Sequence, residues 1–196
     1  MSMARFEHKQ LEQKSCGASA IMCTVKEFSL PMNWDDANAD RIYRNIQKGI
    51  HDESLMSKMV AELKTHGLKV QLIEDEDRTG VFKSLPAFSG PYSDYRSDVA
   101  SASLTIETRK SPDPFKADDF KDSARILLVV IIVGQNLTHW VLARREGGKY
   151  YVMNPDPGKN AEMPDLLTWM NGAATDVKDV CGVKYMFAGI ILRVTK

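Results

Sequence analysis

The chain has 196 residues, enough for one domain that hides roughly 70% of its unfolded surface and needs no metal or disulfide staple to fold. Hydrophobic residues make up 43% and charged residues 27%, a composition that excludes global disorder. Lys plus Arg (26) equals Asp plus Glu (26), so no global basic field exists to recruit nucleic acid or anionic lipid. The longest apolar run, residues 126–133, is far shorter than the about 20 residues a membrane-spanning helix needs and reads as a buried strand. The first 15 residues lack the apolar stretch of a secretory signal. The expected location is therefore the cytoplasm, or another cell reached by a route independent of a signal peptide.

In chain order, residues 16–28 carry Ala18, Ile21, Met22, Val25 and Phe28 at helical spacing, with Ser15 as candidate N-cap and Leu30-Pro31 as the stop. Residues 35–48 and 54–66 read as two further helices, the second ended by Gly67. A short strand is expected over 68–73, followed by an acidic, solvated turn at 74–77. Pro86, Gly90, Pro91, Pro112 and Pro114 break residues 84–123 into turns, with a strand at 103–108 and a surface loop holding a short helix at 109–122. The last third reads as β: the strand at 126–133, a hairpin of 139–144 and 149–154 around Glu146-Gly147-Gly148, a short helix at 166–170 and a closing strand at 185–194. Helices first and an antiparallel sheet second make an α+β chain. It is expected to be a single domain over 1–196, with a helical part (1–83), an irregular insertion (84–123) and a β part (124–196).

Four residue types suggest chemistry. Cys16 opens a helix in Ser-Cys-Gly-Ala. The positive end of a helix dipole lowers a thiol pKa, the free backbone N–H there can hold an oxyanion, and Gly17 is expected to leave open space beside the sulfur. A small buried hydrophobe is the competing role for a cysteine. His139 shares a strand face with Val141 and Ala143, whereas Trp140 and Leu142 face the other way. At a sheet edge an imidazole can act as general base to a thiol; otherwise it is a core histidine with one hydrogen bond. A hairpin turn centred on Glu146-Gly147 sets His139 opposite Asn154, with Cβ atoms ~5 Å apart, so that the amide can fix the imidazole tautomer. Asp156 lies beyond that pairing and is the alternative third member; Asn-Pro-Asp-Pro-Gly also simply ends a strand. Gln10, six residues before Cys16, can supply a second oxyanion donor, with Gln13 as rival.

Other chemistry finds no support. Cys16, Cys23 and Cys181 are an odd set without CxxC spacing, so neither a disulfide framework nor a zinc site built on Cys pairs is expected. His51 and His66 form no metal-binding pattern, and no glycine-rich phosphate loop occurs, so no cofactor is expected. Cys23 and the methionines 22, 56, 59, 163 and 170 read as packing, and Cys181 as a half-buried thiol.

Taken together, Gln10-Leu-Glu-Gln-Lys-Ser-Cys16-Gly-Ala-Ser-Ala, His139-Trp-Val-Leu and Tyr-Val-Met-Asn154-Pro resemble the papain-like cysteine peptidase superfamily. The closer resemblance is to the bacterial branch containing the leader-peptide-cleaving domains of bacteriocin exporters. These motifs span about 45 residues. The resemblance implies a papain-like fold and a Cys16–His139–Asn154 triad with Gln10 at the oxyanion. It also implies a protein or peptide substrate hydrolysed through a thioester. The same triad serves glutamine or asparagine deamidases, including delivered effectors and toxins, and a catalytically silent binding module is the alternative of another class. The stretch between Cys16 and His139 is longer than in the leader peptidases and no transporter segment follows, so a stand-alone enzyme with a different substrate-facing part is expected.

Overall fold

The computed structural model describes residues 5–49, 52–110, 112–121, 123–135 and 137–196; His51 lies outside them. Helix α1 (Cys16–Glu27) is buried at every position except Lys26. A helix buried all round must lie at the centre of the packing, and its small residues, such as Ala18, Ser19 and Ala20, allow that. Ser15 does not cap it: the hydroxyl turns back, accepting from the Glu12 N–H (2.9 Å) and donating to the Glu12 carbonyl (3.0 Å). The helix stops earlier than Leu30-Pro31, with Ser29 in the left-handed region at φ 56°. Helix α2 (Asp36–Ile46) is capped by Asp35, whose carboxylate accepts from the Asn38 N–H at 2.8 Å. Helix α3 (Met56–Thr65) gives way to Gly67, at φ 75°.

The sheet is made of β1 (Lys69–Asp75), β2 (Ile106–Arg109), β3 (Arg125–Ile132), β4 (Leu137–Glu146), β5 (Lys149–Asn154), β6 (Lys159–Glu162), β7 (Val177–Val180) and β8 (Val183–Thr195). Its order is β2-β1-β8-β3-β4-β5-β6, with β7 also on β8. The long β8 therefore sits in the middle and joins the early strand β1 to the late hairpins. Alternation sorts the strands' side chains onto two cores. Leu127, Val129, Trp140 and Leu142 pack against α1, α2 and α3, whereas Ile126, Leu128, Val141 and Ala143 pack against α6 (Leu166–Asn171) and the 3₁₀ turn Ala117–Phe120.

The α+β architecture agrees with the sequence pattern, but residues 74–101 differ from it. The acidic turn expected at 74–77 is the end of β1 and the start of α4 (Glu76–Ser84), and Glu74 and Asp75 are only 2% and 4% exposed. Asp75 caps α4, and Glu74 accepts from Thr79 (3.1 Å), Tyr95 (3.0 Å) and Arg96 (2.9 Å). The last two come from α5 (Pro86–Ser101), a helix where proline-broken turns were expected. Pro86 stands in its first turn, where the missing N–H costs nothing, and the helix continues through Gly90-Pro91. The pair α4–α5 forms a crossover, so β2 returns parallel to β1, the one departure from antiparallel pairing among the described strands.

The C-terminal end of α1 is fixed to the sheet by charge. Glu27 is ion-paired with Arg125 at the start of β3 and with Arg144 on β4 (2.9 Å), all three side chains being buried. Burial raises the Glu27 pKa, and the two guanidinium groups pull it back.

Candidate active site

Cys16 at the start of α1, His139 near the start of β4 and Asp156 just beyond β5 line one cleft with Gln10, Ser54 and Trp140. The cleft has a volume of about 210 Å³. It adjoins a larger, mainly apolar cavity of about 420 Å³, and Glu53, Ser54, Thr138 and Trp140 border both.

The β4–β5 hairpin orients the imidazole. Glu146 pairs with Lys149 and Leu142 with Met153, leaving Gly147-Gly148, at φ 57° and 83°, as a two-residue loop. The turn thus lies one residue later than expected and the register differs by two, so His139 and Asn154 are diagonal neighbours rather than opposite. A shift of two preserves side-chain parity. Both side chains still share a face, and His139 Nε2 lies 2.9 Å from Asn154 Oδ1.

The hydrogen bonds around Asn154 identify the tautomer. Its Nδ2 donates to the Val180 carbonyl (2.9 Å) and the Tyr185 hydroxyl (2.9 Å). A carbonyl only accepts, so the amide oxygen must face His139, where it also accepts from the Asp156 N–H at 3.1 Å. Neutral His139 is then protonated on Nε2 and keeps its lone pair on Nδ1. The Tyr185 ring stacks on the imidazole, with centroids 5.5 Å apart and planes 6° apart. Sequence reasoning passed over Tyr185. The available signal was a phenol at the start of a strand that is otherwise mostly apolar, because a buried tyrosine hydroxyl requires a partner.

Asp156 borders the cleft without bonding the imidazole; its carboxylate raises the proton affinity of His139 through space and accepts from Gln10 Nε2 at 3.4 Å. The Gln10 backbone N–H donates to the Pro155 carbonyl (2.8 Å), which pins the N-terminal segment beside the turn after β5. Gln10 Nε2 also reaches the Gln13 carbonyl at 3.4 Å, while its Oε1 is buried without a partner among the described residues.

Two expectations about Cys16 need correction. The space beside Gly17 is filled, since a Cβ there would lie 2.6 Å from Ser54 Oγ and 3.2 Å from Ile46 Cδ1. Glycine is needed because α1 packs tightly on Ile46 and Ser54. The thiol is not acidified either. Cys16 is only 5% exposed, and burial pushes its pKa up to about 11, outweighing the Trp140, Gly17 and Cys16 backbone N–H groups that favour the thiolate. Burial likewise pushes His139 down to about 4. At neutral pH the cleft holds a thiol and a neutral imidazole.

Among the described residues, no three His, Cys, Asp or Glu side chains converge as metal ligands, and no helix is long and apolar enough to cross a membrane. Cys23 and the methionines 22, 56, 59, 163 and 170 are buried, and Cys181 is half-buried.

No protein-family model and no curated protein sequence matches the chain. Solved structures do match. One is the peptidase domain of Streptococcus ComA, a bifunctional ABC transporter of a quorum-sensing pathway, with 12% identity, 98% of each chain covered and a TM-score of 0.51. Another is a double glycine motif protease from an AMS/PCAT transporter in complex with its leader peptide, with 13% identity, 100% of this chain and 94% of that one covered, and a TM-score of 0.50. The chain has the papain-like fold of these peptidase domains.

Proposed function

We propose that this protein is a cysteine peptidase in which Cys16 is the nucleophile, His139 the general base and acid, and Asn154 the group that orients His139. The observation that carries the reading is the tautomer. The Nε2–Asn154 bond leaves the lone pair of a neutral imidazole on Nδ1, and His139 lines the same cleft as Cys16.

Because thiol and imidazole rest neutral, the proton moves during attack. As Cys16 Sγ bonds to the carbonyl carbon of a peptide, its proton passes to His139 Nδ1. The resulting oxyanion is met by the Cys16 N–H and by Gln10 Nε2, which gives up its long contacts to Asp156 and Gln13. Collapse breaks the C–N bond, and the imidazolium returns its proton to the leaving amine. Water, deprotonated by His139, then hydrolyses the thioester, releasing a carboxylate and restoring the thiol. Asn154 holds the ring throughout, and its bonds to Val180 and Tyr185 keep it from rotating.

Digestion of a proteome-derived peptide library tests this reading. New N-termini are expected with the wild type and not with Cys16→Ala. A gain of about 1 Da at Gln or Asn without chain cleavage would identify a deamidase instead, because the same attack then falls on a side-chain amide. An unchanged library would contradict both.

A further inference from the structure

Glu53 and Ser54 take no part in the chemistry above, yet they stand where the cleft meets the larger cavity. Their backbone is firmly held. The Glu53 carbonyl accepts from the Lys48 N–H (2.8 Å), the Leu55 N–H donates to the Ile46 carbonyl (2.8 Å), and Ser54 bridges to Gln47. Their side chains lack hydrogen-bond partners, although the Ser54 hydroxyl packs against Gly17. Ser54 Oγ is buried without a hydrogen-bond partner among the described residues, and the Glu53 carboxylate makes no ion pair or side-chain hydrogen bond with any described residue. A buried hydroxyl with no partner costs stability and is retained where something else supplies the partner.

The surrounding charge is one-sided in a chain that is neutral overall. Asp52, Glu53, Asp94, Asp98 and Asp156 border the two cavities, against Lys14 and Lys48. Both lysines are already committed, Lys14 to Asp52 (3.3 Å) and Lys48 to Asp94 (2.8 Å). Asp98 accepts from the Ser57 N–H at 2.9 Å, and Asp156 accepts from Gln10. Glu53 is the carboxylate without a direct cationic contact among the described residues: Lys48 acts on it only through space, and it stands near enough to Cys16 to oppose its ionisation. The larger cavity that Glu53 borders is lined by Met56, Phe82, Val129 and Ile190. A carboxylate bordering a mainly apolar cavity suits a long aliphatic side chain with a cationic head, because Lys and Arg lay their methylene stems on apolar surface.

We propose that Glu53 and Ser54 are the specificity edge of the cleft: Glu53 pairs with a Lys or Arg side chain flanking the scissile bond of the substrate peptide, and the Ser54 hydroxyl donates to that peptide's backbone. This rests on the peptidase reading and adds to it a basic substrate class.

The test uses quenched fluorescent peptides of one scaffold with Lys, Arg, Ala or Glu at the positions flanking the cleaved bond. Wild type, Glu53→Lys and Ser54→Ala are compared for turnover. Cys16→Ala and Cys16→Ala with Glu53→Lys are compared for binding by fluorescence anisotropy, and melting curves verify that each variant is folded. Wild type is expected to prefer Lys or Arg over Glu by about 10-fold or more in kcat/KM, less at high salt, and Glu53→Lys to invert the order. Ser54→Ala is expected to slow all peptides by a similar factor, because a backbone contact is blind to side chains. Cleavage by wild type with no charge preference, or a preference unmoved by Glu53→Lys, overturns the inference and leaves the peptidase reading intact. A Ser54→Ala enzyme as fast as wild type removes the hydroxyl from the edge. Charge-selective binding by Cys16→Ala that is lost with Glu53→Lys, without cleavage by wild type, keeps the pairing of Glu53 with a basic peptide and overturns the peptidase reading. Absence of both binding and cleavage overturns both.

Discussion

The two ends of α1 are buried by opposite means. At its C-terminus Glu27 is enclosed with Arg125 and Arg144, so a buried charge meets opposite charge from two strands. At its N-terminus Cys16 and His139 are enclosed without a contacting opposite charge: burial outweighs the backbone N–H groups at the thiol and the Asn154 bond at the imidazole and keeps both neutral, and Gln10 Oε1 and Ser54 Oγ have no partner among the described residues. One end anchors the helix to the sheet. On the peptidase reading proposed above, the other keeps polar groups in reserve for a substrate.

Single substitutions at the two ends should therefore separate activity from stability. Cys16→Ala is expected to lower peptide turnover by about 10⁴-fold or more while leaving the melting temperature near that of wild type, read from library digestion and calorimetry. Glu27→Ala leaves two arginines buried without their shared carboxylate and is expected to cost about 3–5 kcal/mol in denaturant unfolding. A cost near zero would mean that the C-terminal anchor is dispensable.

The neutral pair also gives the N-terminal end its own pH signature. The His139 pKa falls from 6.5 in the unfolded chain to about 4 in the folded one. As pH drops through that window, the unfolded state takes up a proton that the folded state refuses. Stability should therefore fall by about 3 kcal/mol from this group, a loss that His139→Gln removes. Cys16 moves the other way, from 9.0 to about 11, so its share of stability is intact below pH 9 and is lost as pH rises toward 11. Urea unfolding at several pH values checks both limbs. Activity should require an unprotonated His139 and so persist well below pH 6 for as long as the protein stays folded. The smallest effect is expected for Tyr185→Phe, which keeps the ring stack but leaves Asn154 Nδ2 short of one acceptor. It should cost about 1–3 kcal/mol in stability and only a few-fold in kcat.

What could be read from the sequence follows how local each signal is. Helix α1, its opening at Cys16 and the β4–β5 hairpin rest on periodicity and a Gly-Gly turn within a few residues. The contact between His139 and Asn154 was legible even though the turn was misplaced, because the error was an even number of residues and parity survived. The burial of Glu74 and Asp75 was not legible, because their setting depends on α4 and α5. Two prolines and two glycines disguise that region as turns, although Pro86 is tolerated in a first helical turn. The Glu27–Arg125–Arg144 cluster joins positions roughly a hundred residues apart, which no local pattern reports. Nor did the helix-start argument for an acidic thiol hold, since a dipole and a few N–H groups cannot offset near-complete burial.

The partnership of sulfur and imidazole can be probed most directly with a peptidyl chloromethyl ketone, a carbonyl electrophile that seats like a substrate, with intact-mass and peptide-map readout in wild type and His139→Ala. Covalent label is expected on Cys16 in preference to the more exposed Cys181, at a rate that drops by about 10-fold or more when the imidazole is removed. Label on Cys181 first, or a Cys16 rate indifferent to residue 139, would contradict the account.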